Sequence, residues 1–147
     1  LALTGGNLDG AGPATLFDLA YASFAFDLIA GPDNWRLIAQ APGDRGIVCG
    51  ALDPAAGGDE TPELLMWAAH YAASTQGRGL DRVGLANAPS LATLGPDVAL
   101  RKLRRVAEAA ALAGADPQAA AASLDPRAFG GRRNRPGRVR LGDDPTP

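Results

Sequence analysis

Short apolar runs alternate with segments of helical periodicity four times along this chain. The apolar runs are almost continuous, which is typical of strands buried on both faces of a parallel sheet. Thr61-Pro62-Glu63 predicts a clear helix start, because threonine caps a helix, proline suits its first turn and an acid favours its N-terminus. The predicted strands are residues 1–4, 24–29, 47–52 and 83–86, and the predicted helices are residues 13–22, 35–41, 62–76 and 96–113.

Strand–helix alternation of this kind predicts an α/β fold with a parallel sheet. Two architectures fit it, an open doubly wound sheet and one half of a (β/α)8 barrel. No G-x-G-x-x-G sequence follows the first strand and the chain has no Walker loop, so nucleotide binding has no support from motifs. An intact barrel needs about 250 residues. Four βα units therefore predict the C-terminal half of a (β/α)8 barrel over residues 1–126, and because the chain opens inside a strand we expect a piece of a longer protein.

Charge is divided unevenly along the chain. Residues 1–126 carry 14 acidic and 8 basic side chains, whereas residues 127–140 carry six arginines and no acid. Residues 127–147 are rich in Gly, Pro and Arg with almost no apolar periodicity, which predicts a flexible, disordered basic tail. Aromatic residues are not interleaved with the arginines to stack bases, so nucleic acid is not an expected partner.

Cysteine and histidine are each present once, among 147 residues. One cysteine excludes an internal disulfide or an all-cysteine metal cage, and one histidine excludes a multi-histidine site from this chain alone. No run approaches the ~18 apolar residues of a membrane span, and no secretory signal is visible. We therefore expect a cytoplasmic protein with no membrane partner.

Three segments carry recognisable motifs. RGIVCGALD at residues 45–53, followed by an acidic loop, resembles the G-V-x-D segment in the seventh unit of the cobalamin-independent methionine synthase barrel. DRVGLANAPSL at residues 81–91 is similar to its eighth strand and N-P-D-C-G-L loop, and ALRKLRRV at residues 99–106 to the A-x-x-K-L-x-x-M/V run of its closing helix. Order and spacing agree over residues 1–113, and the uroporphyrinogen decarboxylase-like superfamily shares the barrel layout.

The resemblance implies zinc-dependent methyl transfer from a folate donor to homocysteine, with the metal holding the thiolate. This sequence differs from the family at the positions of the metal ligands. The positions of the His-x-Cys pair fall on Ala2 and Thr4, and that of the eighth-loop cysteine falls on Ser90. Asp27 alone could stand in for the family's carboxylate, so we expect no zinc site and no other cofactor in this chain.

Four polar side chains near the ends of predicted strands are the candidate substrate-binding residues. Active sites of (β/α)8 barrels lie at the carboxyl ends of the strands. The candidates are Asp27, Asp53, Asn87 and Ser90. No catalytic residue is assigned; His70 is interpreted as a partly buried helix residue, Cys49 as a small core residue, and the basic run 101–105 as a solvated helix face.

Function is left with three alternatives. The first is a methionine synthase-like methyltransferase, as a fragment or a divergent member without zinc ligands, binding a thiol amino acid and folate. The second is a non-catalytic member of the barrel family with a binding or assembly role, and the third is a uroporphyrinogen decarboxylase-like enzyme. The expected protein partner is a missing N-terminal half or a second copy of the chain.

Overall fold

A computed structural model describes residues 1–55, 60–88 and 90–115 of the chain, and the predicted tail at 127–147 lies outside these residues. Four strands alternate with four α-helices, in agreement with the apolar pattern of the sequence. Three short 3-10 helices, Asp9–Ala11, Thr75–Gly77 and Leu80–Arg82, connect them. The elements are β1 (Ala2–Leu3), α1 (Pro13–Phe17), β2 (Ser23–Asp27), α2 (Asn34–Gln40), β3 (Gly46–Leu52), α3 (Pro62–Ser74), β4 (Val83–Asn87) and α4 (Pro96–Ala113).

All four strands are parallel and lie in the order β1-β2-β3-β4. A doubly wound sheet reverses its strand order at a switch point. The described strands show no such reversal, so each new unit is added on the same side of the previous one. The fold is therefore α/β with a consecutive parallel sheet, an arrangement compatible with half of a (β/α)8 barrel.

The helices pack on one face of this sheet. Phe24, Ile47 and Val83 are in register across β2, β3 and β4 and point into the helix layer. Phe26 and Cys49 follow two residues later on the same face and are almost completely buried. The core is built largely of these side chains and of small or aliphatic residues from α1, α2 and α3.

The opposite face of the sheet carries small side chains and is half-exposed. Ala25, Val48 and Gly84 are in register on this face, and each has intermediate exposure. The sequence pattern favoured burial on both faces; on this face Asp27 and Gly50 are buried, whereas the three residues named above are half-exposed. Small apolar residues have the same hydropathy whether a helix covers them or not, so the pattern could not distinguish these positions.

Helix α1 is shorter than predicted. It ends at Phe17, whose ring packs edge-on against Phe24 at a centroid distance of 5.4 Å. Leu19, which lies inside the predicted helix at residues 13–22, is beyond the observed helix and 42% exposed. The segment after Asp18 turns towards β2 instead of continuing the helix, and the Tyr21 amide bonds to the Leu19 carbonyl.

A buried arginine fills the amino edge of the sheet between two helix ends. Arg78 is 1% exposed, and its Nη1 donates to the Ala72 carbonyl at the end of α3 (2.7 Å). Nη2 donates to the Ala41 carbonyl after α2 (2.9 Å), and Nε to the Arg45 carbonyl before β3 (3.0 Å). Helix C-termini present unpaired carbonyls with partial negative charge, so they stabilise a cation without a carboxylate.

None of the helices in the described ranges combines the length and apolar character needed to cross a membrane.

Candidate functional site

Three of the four predicted site residues, Asp27, Asp53 and Asn87, lie towards the carboxyl ends of the strands, but at two different heights along the strand direction. Asn87 ends β4 and is paired in register with Leu52, so it lies beside Asp53, which directly follows β3. Asp27 ends β2 and is paired with Gly50, three residues before Asp53. Three residues of strand span about 10 Å. The structure thus brings Asp53 and Asn87 together and leaves Asp27 deeper in the sheet.

The carboxylate of Asp27 organises two loops. It is 1% exposed, and its Oδ1 accepts hydrogen bonds from the amides of Ile29 (3.0 Å) and Ala30 (2.8 Å). Oδ2 accepts from the amide of Gly5, in the loop after β1, at 3.3 Å. A carboxylate in an apolar strand needs such donors to offset its burial. Both oxygens are therefore engaged by backbone, and a direct contact of Asp27 with substrate stays a prediction.

Asn34 completes this connection and was not identified from the sequence. Its Nδ2 donates to the carbonyls of Gly6 (3.1 Å) and Asp27 (2.8 Å), and its Oδ1 accepts from the Leu8 amide (3.0 Å). Gly31 allows the close approach, since a Cβ there would overlap the Gly6 carbonyl and the Asn34 amide. The loops after β1 and β2 are thus joined into one rigid unit.

Asp53 begins the loop between β3 and α3. Its Oδ1 accepts from the amide of Ala55 (2.8 Å), closing a turn of the type that aspartate favours. Its own amide donates to Oε1 of Glu60 at 2.8 Å. The second carboxylate oxygen, Oδ2, has no bond to the residues that the structure describes and belongs to a half-exposed side chain, so it can accept a hydrogen bond from a ligand.

A buried ion pair lies beneath Asp53. Lys102 Nζ is 3.2 Å from Glu60 Oε2 and donates to the Asp53 carbonyl at 2.7 Å, and the two side chains are only 6% and 9% exposed. The interpretation of residues 101–105 as a solvated face is therefore wrong for Lys102. Its side chain connects α4 to the loop that positions Asp53, and buried charges of this kind are paired because their desolvation is costly.

The signal that could have identified Lys102 is its helical spacing. Val106, Ala109 and Ala113 follow Lys102 at intervals of four, three and four residues, and Ala109 and Ala113 are buried. This is the period of one helix face. The interpretation followed the run of basic residues instead of the face on which each one lies.

The loop after β4 carries Asn87 and Ser90. Asn87 is half-buried at the end of its strand, and Ser90 is exposed. The Ser90 hydroxyl accepts a hydrogen bond from the Ala92 amide (3.1 Å), as in a serine turn. Ser90 therefore has a local turn contact, whereas Asn87 is the residue of this loop that lies beside Asp53.

The zinc site implied by the resemblance does not fit the residues present. Asp27, the only matching ligand, has both oxygens engaged by backbone amides. Within the described ranges no group of three or more His, Cys, Asp or Glu side chains could hold a metal.

Cys49 and His70 lie away from the carboxyl edge. Cys49 is buried in the helix layer, where its thiol donates to the Ala68 carbonyl (3.7 Å). Burial raises the pKa of this thiol to about 12, and the nearby Arg78 only partly opposes that rise. His70 is half-buried on α3, as expected, and its buried Nε2 has no hydrogen-bond partner among the residues that the structure describes.

The carboxyl edge therefore offers acidic and amide oxygens on a rigid frame. A carboxylate with a free oxygen suits the ammonium or hydroxyl groups of a small ligand. Neither the protein-family models nor the curated proteins compared with this chain gave a match.

Proposed function

We propose that this chain forms the C-terminal half of a (β/α)8 barrel related to cobalamin-independent methionine synthase and binds a thiol amino acid without activating it through zinc. Asp53 carries the proposal, because its Oδ2 has no bond to the described residues and Asn87 ends the neighbouring strand, in register with Leu52. The consecutive parallel strand order supports the barrel assignment. Folate, the second ligand implied by the resemblance, and a cytoplasmic location stay predictions.

In this proposal Asp53 accepts hydrogen bonds from the ammonium group of the amino acid. An ionised pair of this kind is stronger than a neutral hydrogen bond, and its strength grows as water is excluded. The Glu60–Lys102 pair fixes the backbone on both sides of the turn, so Asp53 is held in position before the ligand binds. Asn87 supplies a polar side chain from the neighbouring strand.

Calorimetric titration with L-homocysteine tests the proposal. We expect Asp53→Asn to weaken binding about tenfold, since a neutral amide loses the charge-assisted bond to the ammonium group. Asp44→Asn is the matched control, because Asp44 is exposed and precedes β3 at the opposite edge. An unmodified chain that does not bind L-homocysteine, or an Asp53→Asn variant that binds it equally well, would overturn the proposal.

L-Homoserine separates this proposal from zinc chemistry. It has a hydroxyl in place of the thiol, and a zinc ion would distinguish the two strongly, because thiolate is the better zinc ligand. A site that recognises the ammonium group should bind both within a few-fold. A strong preference for the thiol that is abolished by a chelator would show that zinc is used.

An assembly role is the second candidate, and the half-exposed face of the sheet favours it. Small apolar side chains such as Ala25 and Val48 lie on that face, and β1 and β4 are the outer strands of the described sheet. Exposed strand edges and apolar faces promote association. Light scattering over a range of concentrations tests this role, and a mass of 15.0 kDa throughout would contradict it.

A decarboxylase-like activity is not favoured. It would need basic side chains at the carboxyl edge to hold acidic substrate groups. The described residues there supply acidic groups, and Lys102 is already paired with Glu60.

A further inference from the structure

Three aromatic rings form a patch on the outer surface of the helix layer. Trp35 on α2 lies edge-on to Trp67 and Tyr71 on α3, with ring centroids 5.4 and 5.2 Å away. Trp67 and Tyr71 are stacked at 5.5 Å, one helical turn apart. These three residues are named the aromatic patch.

Trp35 and Tyr71 are half-buried and pack against the edge of the core, whereas Trp67 is exposed. Leu65, Ala68 and Ala72 face the sheet from α3, so Trp67 lies on the opposite, outward side of the helix and is 47% exposed. The neighbouring Leu64 is 44% exposed. Because the patch is on the outside of the helices, closing a barrel on the other side of the sheet would leave it uncovered.

Acidic groups flank the aromatic patch. Glu63 lies one turn before Trp67 on α3, is half-buried, and forms no ion pair with the described residues. Asp33 precedes Trp35 and is shared between Asn7 and the exposed Arg36. The local charge is therefore negative on the α3 side, and residues 1–126 as a whole carry six more acids than bases.

We propose that the arginine-rich segment 127–140 of the same chain docks on the aromatic patch. A guanidinium group is planar, stacks on tryptophan better than on other side chains, and pairs with carboxylates. The segment carries six arginines and no acid, so it complements both the rings and Glu63.

The length of the chain permits this contact. Described residues end at Ala115, just after α4, and 11 residues separate it from Arg127. Eleven extended residues reach about 36 Å. Helix α4 packs directly on α3, and one helix is about 10 Å wide, so the outward side of α3 is within reach.

Tryptophan fluorescence of the full chain tests the proposal, because both tryptophans of the protein belong to the aromatic patch. The test variant is R132Q/R133Q/R135Q. If the arginines cover the rings, their loss should move the emission to longer wavelength and raise the acrylamide quenching constant about twofold. The control R82Q/R101Q/R104Q removes three exposed arginines elsewhere and should leave both values unchanged.

A lysine variant, R132K/R133K/R135K, keeps the charge but removes the planar group. Its quenching constant should lie between those of the unmodified chain and the glutamine variant, and a value equal to that of the unmodified chain would overturn the stacking on the rings. Equal quenching of the unmodified chain and the glutamine variant would overturn the docking itself. If the quenching constant falls as the protein concentration is raised, in both the unmodified chain and the glutamine variant, the patch is covered by a second copy of the chain instead.

Discussion

Arg78 fills the space between the ends of α2 and α3, where a hydrophobic side chain would be the usual choice. Burial lowers the pKa of its guanidinium, and Cys49 opposes this to a smaller extent. Its bonds all go to carbonyl and hydroxyl oxygens. If this one side chain were shortened, the Ala41 and Arg45 carbonyls would lose its hydrogen bonds together, while the Ala72 carbonyl would keep its bond from the Thr75 hydroxyl.

We expect Arg78→Met to destabilise the fold by about 3 kcal/mol or more, because several buried acceptors are left unsatisfied at once. Urea denaturation followed by circular dichroism measures the change. Arg82→Met is the control; Arg82 is exposed, and its loss should change the free energy of unfolding by less than about 0.5 kcal/mol. Similar effects of the two substitutions would show that the carbonyls find other donors.

Cys49 makes stability sensitive to alkaline pH. Its thiol has a pKa raised from 9.0 to about 12 in the folded chain, chiefly by burial. At a pH between these two pKa values, the Cys49 thiol has lost its proton in the unfolded chain and keeps it in the folded chain. The contribution of Cys49 is therefore fully present below about pH 9 and declines as pH rises, by about 1.4 kcal/mol per pH unit.

The comparison with Cys49→Ala isolates this contribution from other titrating groups. The variant should be less stable than the unmodified chain at pH 8, and the difference in free energy of unfolding should shrink as the pH is raised from 9 to 10.5. A difference that is constant with pH would contradict the raised pKa.

At the scale of elements, the Glu60–Lys102 pair joins α4 to the loop between β3 and α3. Breaking a buried pair from one side leaves an uncompensated charge and costs about 3–5 kcal/mol. We expect Lys102→Met to show this loss and Glu60→Gln/Lys102→Met to recover part of it. Arg101→Met, one residue earlier and exposed on α4, is the control.

Urea denaturation of the unmodified chain, Glu60→Gln, Lys102→Met and the double variant gives the coupling energy of the pair. An additive double variant would mean that the two side chains do not act together. The same loop carries Asp53, so the double variant also tests whether ligand binding needs the loop to be held by charges.

Element positions were predictable because they depend on local pattern. Strand β3, helix α4 and the threonine cap of α3 lie at or within one residue of where the sequence placed them, since hydrophobic period and capping are local signals. Helix α1 was extended too far because nothing local marks the turn after Asp18.

Site contacts between distant segments were less predictable. That Asp53 and Asn87 follow or end neighbouring strands at one edge of the sheet could be predicted, because residues after parallel strands gather at one edge; their role in a site stays a prediction. Arg78, Asn34 and Glu60 were missed because their partners lie in other units, up to 42 residues away for Glu60 and Lys102. Nothing in the GRG sequence around Arg78 indicates that its side chain is buried.

For the whole molecule, the half-exposed face of the sheet should control association. We expect Val48→Lys, at the centre of that face, to reduce the mass measured by light scattering relative to the unmodified chain, because a lysine there cannot be buried between two apolar surfaces. Leu19→Lys, at an exposed position after α1, should leave the mass measured by light scattering unchanged. An unmodified chain that is already monomeric, or equal masses for all three, would exclude this face as the interface.

The connection made by Asp27 and Asn34 has a consequence for how the molecule opens. Strand β1 is two residues long, yet the Gly5 and Leu8 amides beyond it are held by side chains from the second unit. In hydrogen exchange, these loop amides should therefore be protected and should open together. Asn34→Ala should speed exchange at the Leu8 and Gly5 amides and leave the exchange of the β3 amides unchanged. If these two amides exchange as slowly in Asn34→Ala as in the unmodified chain, β1 is held by its strand pairing alone.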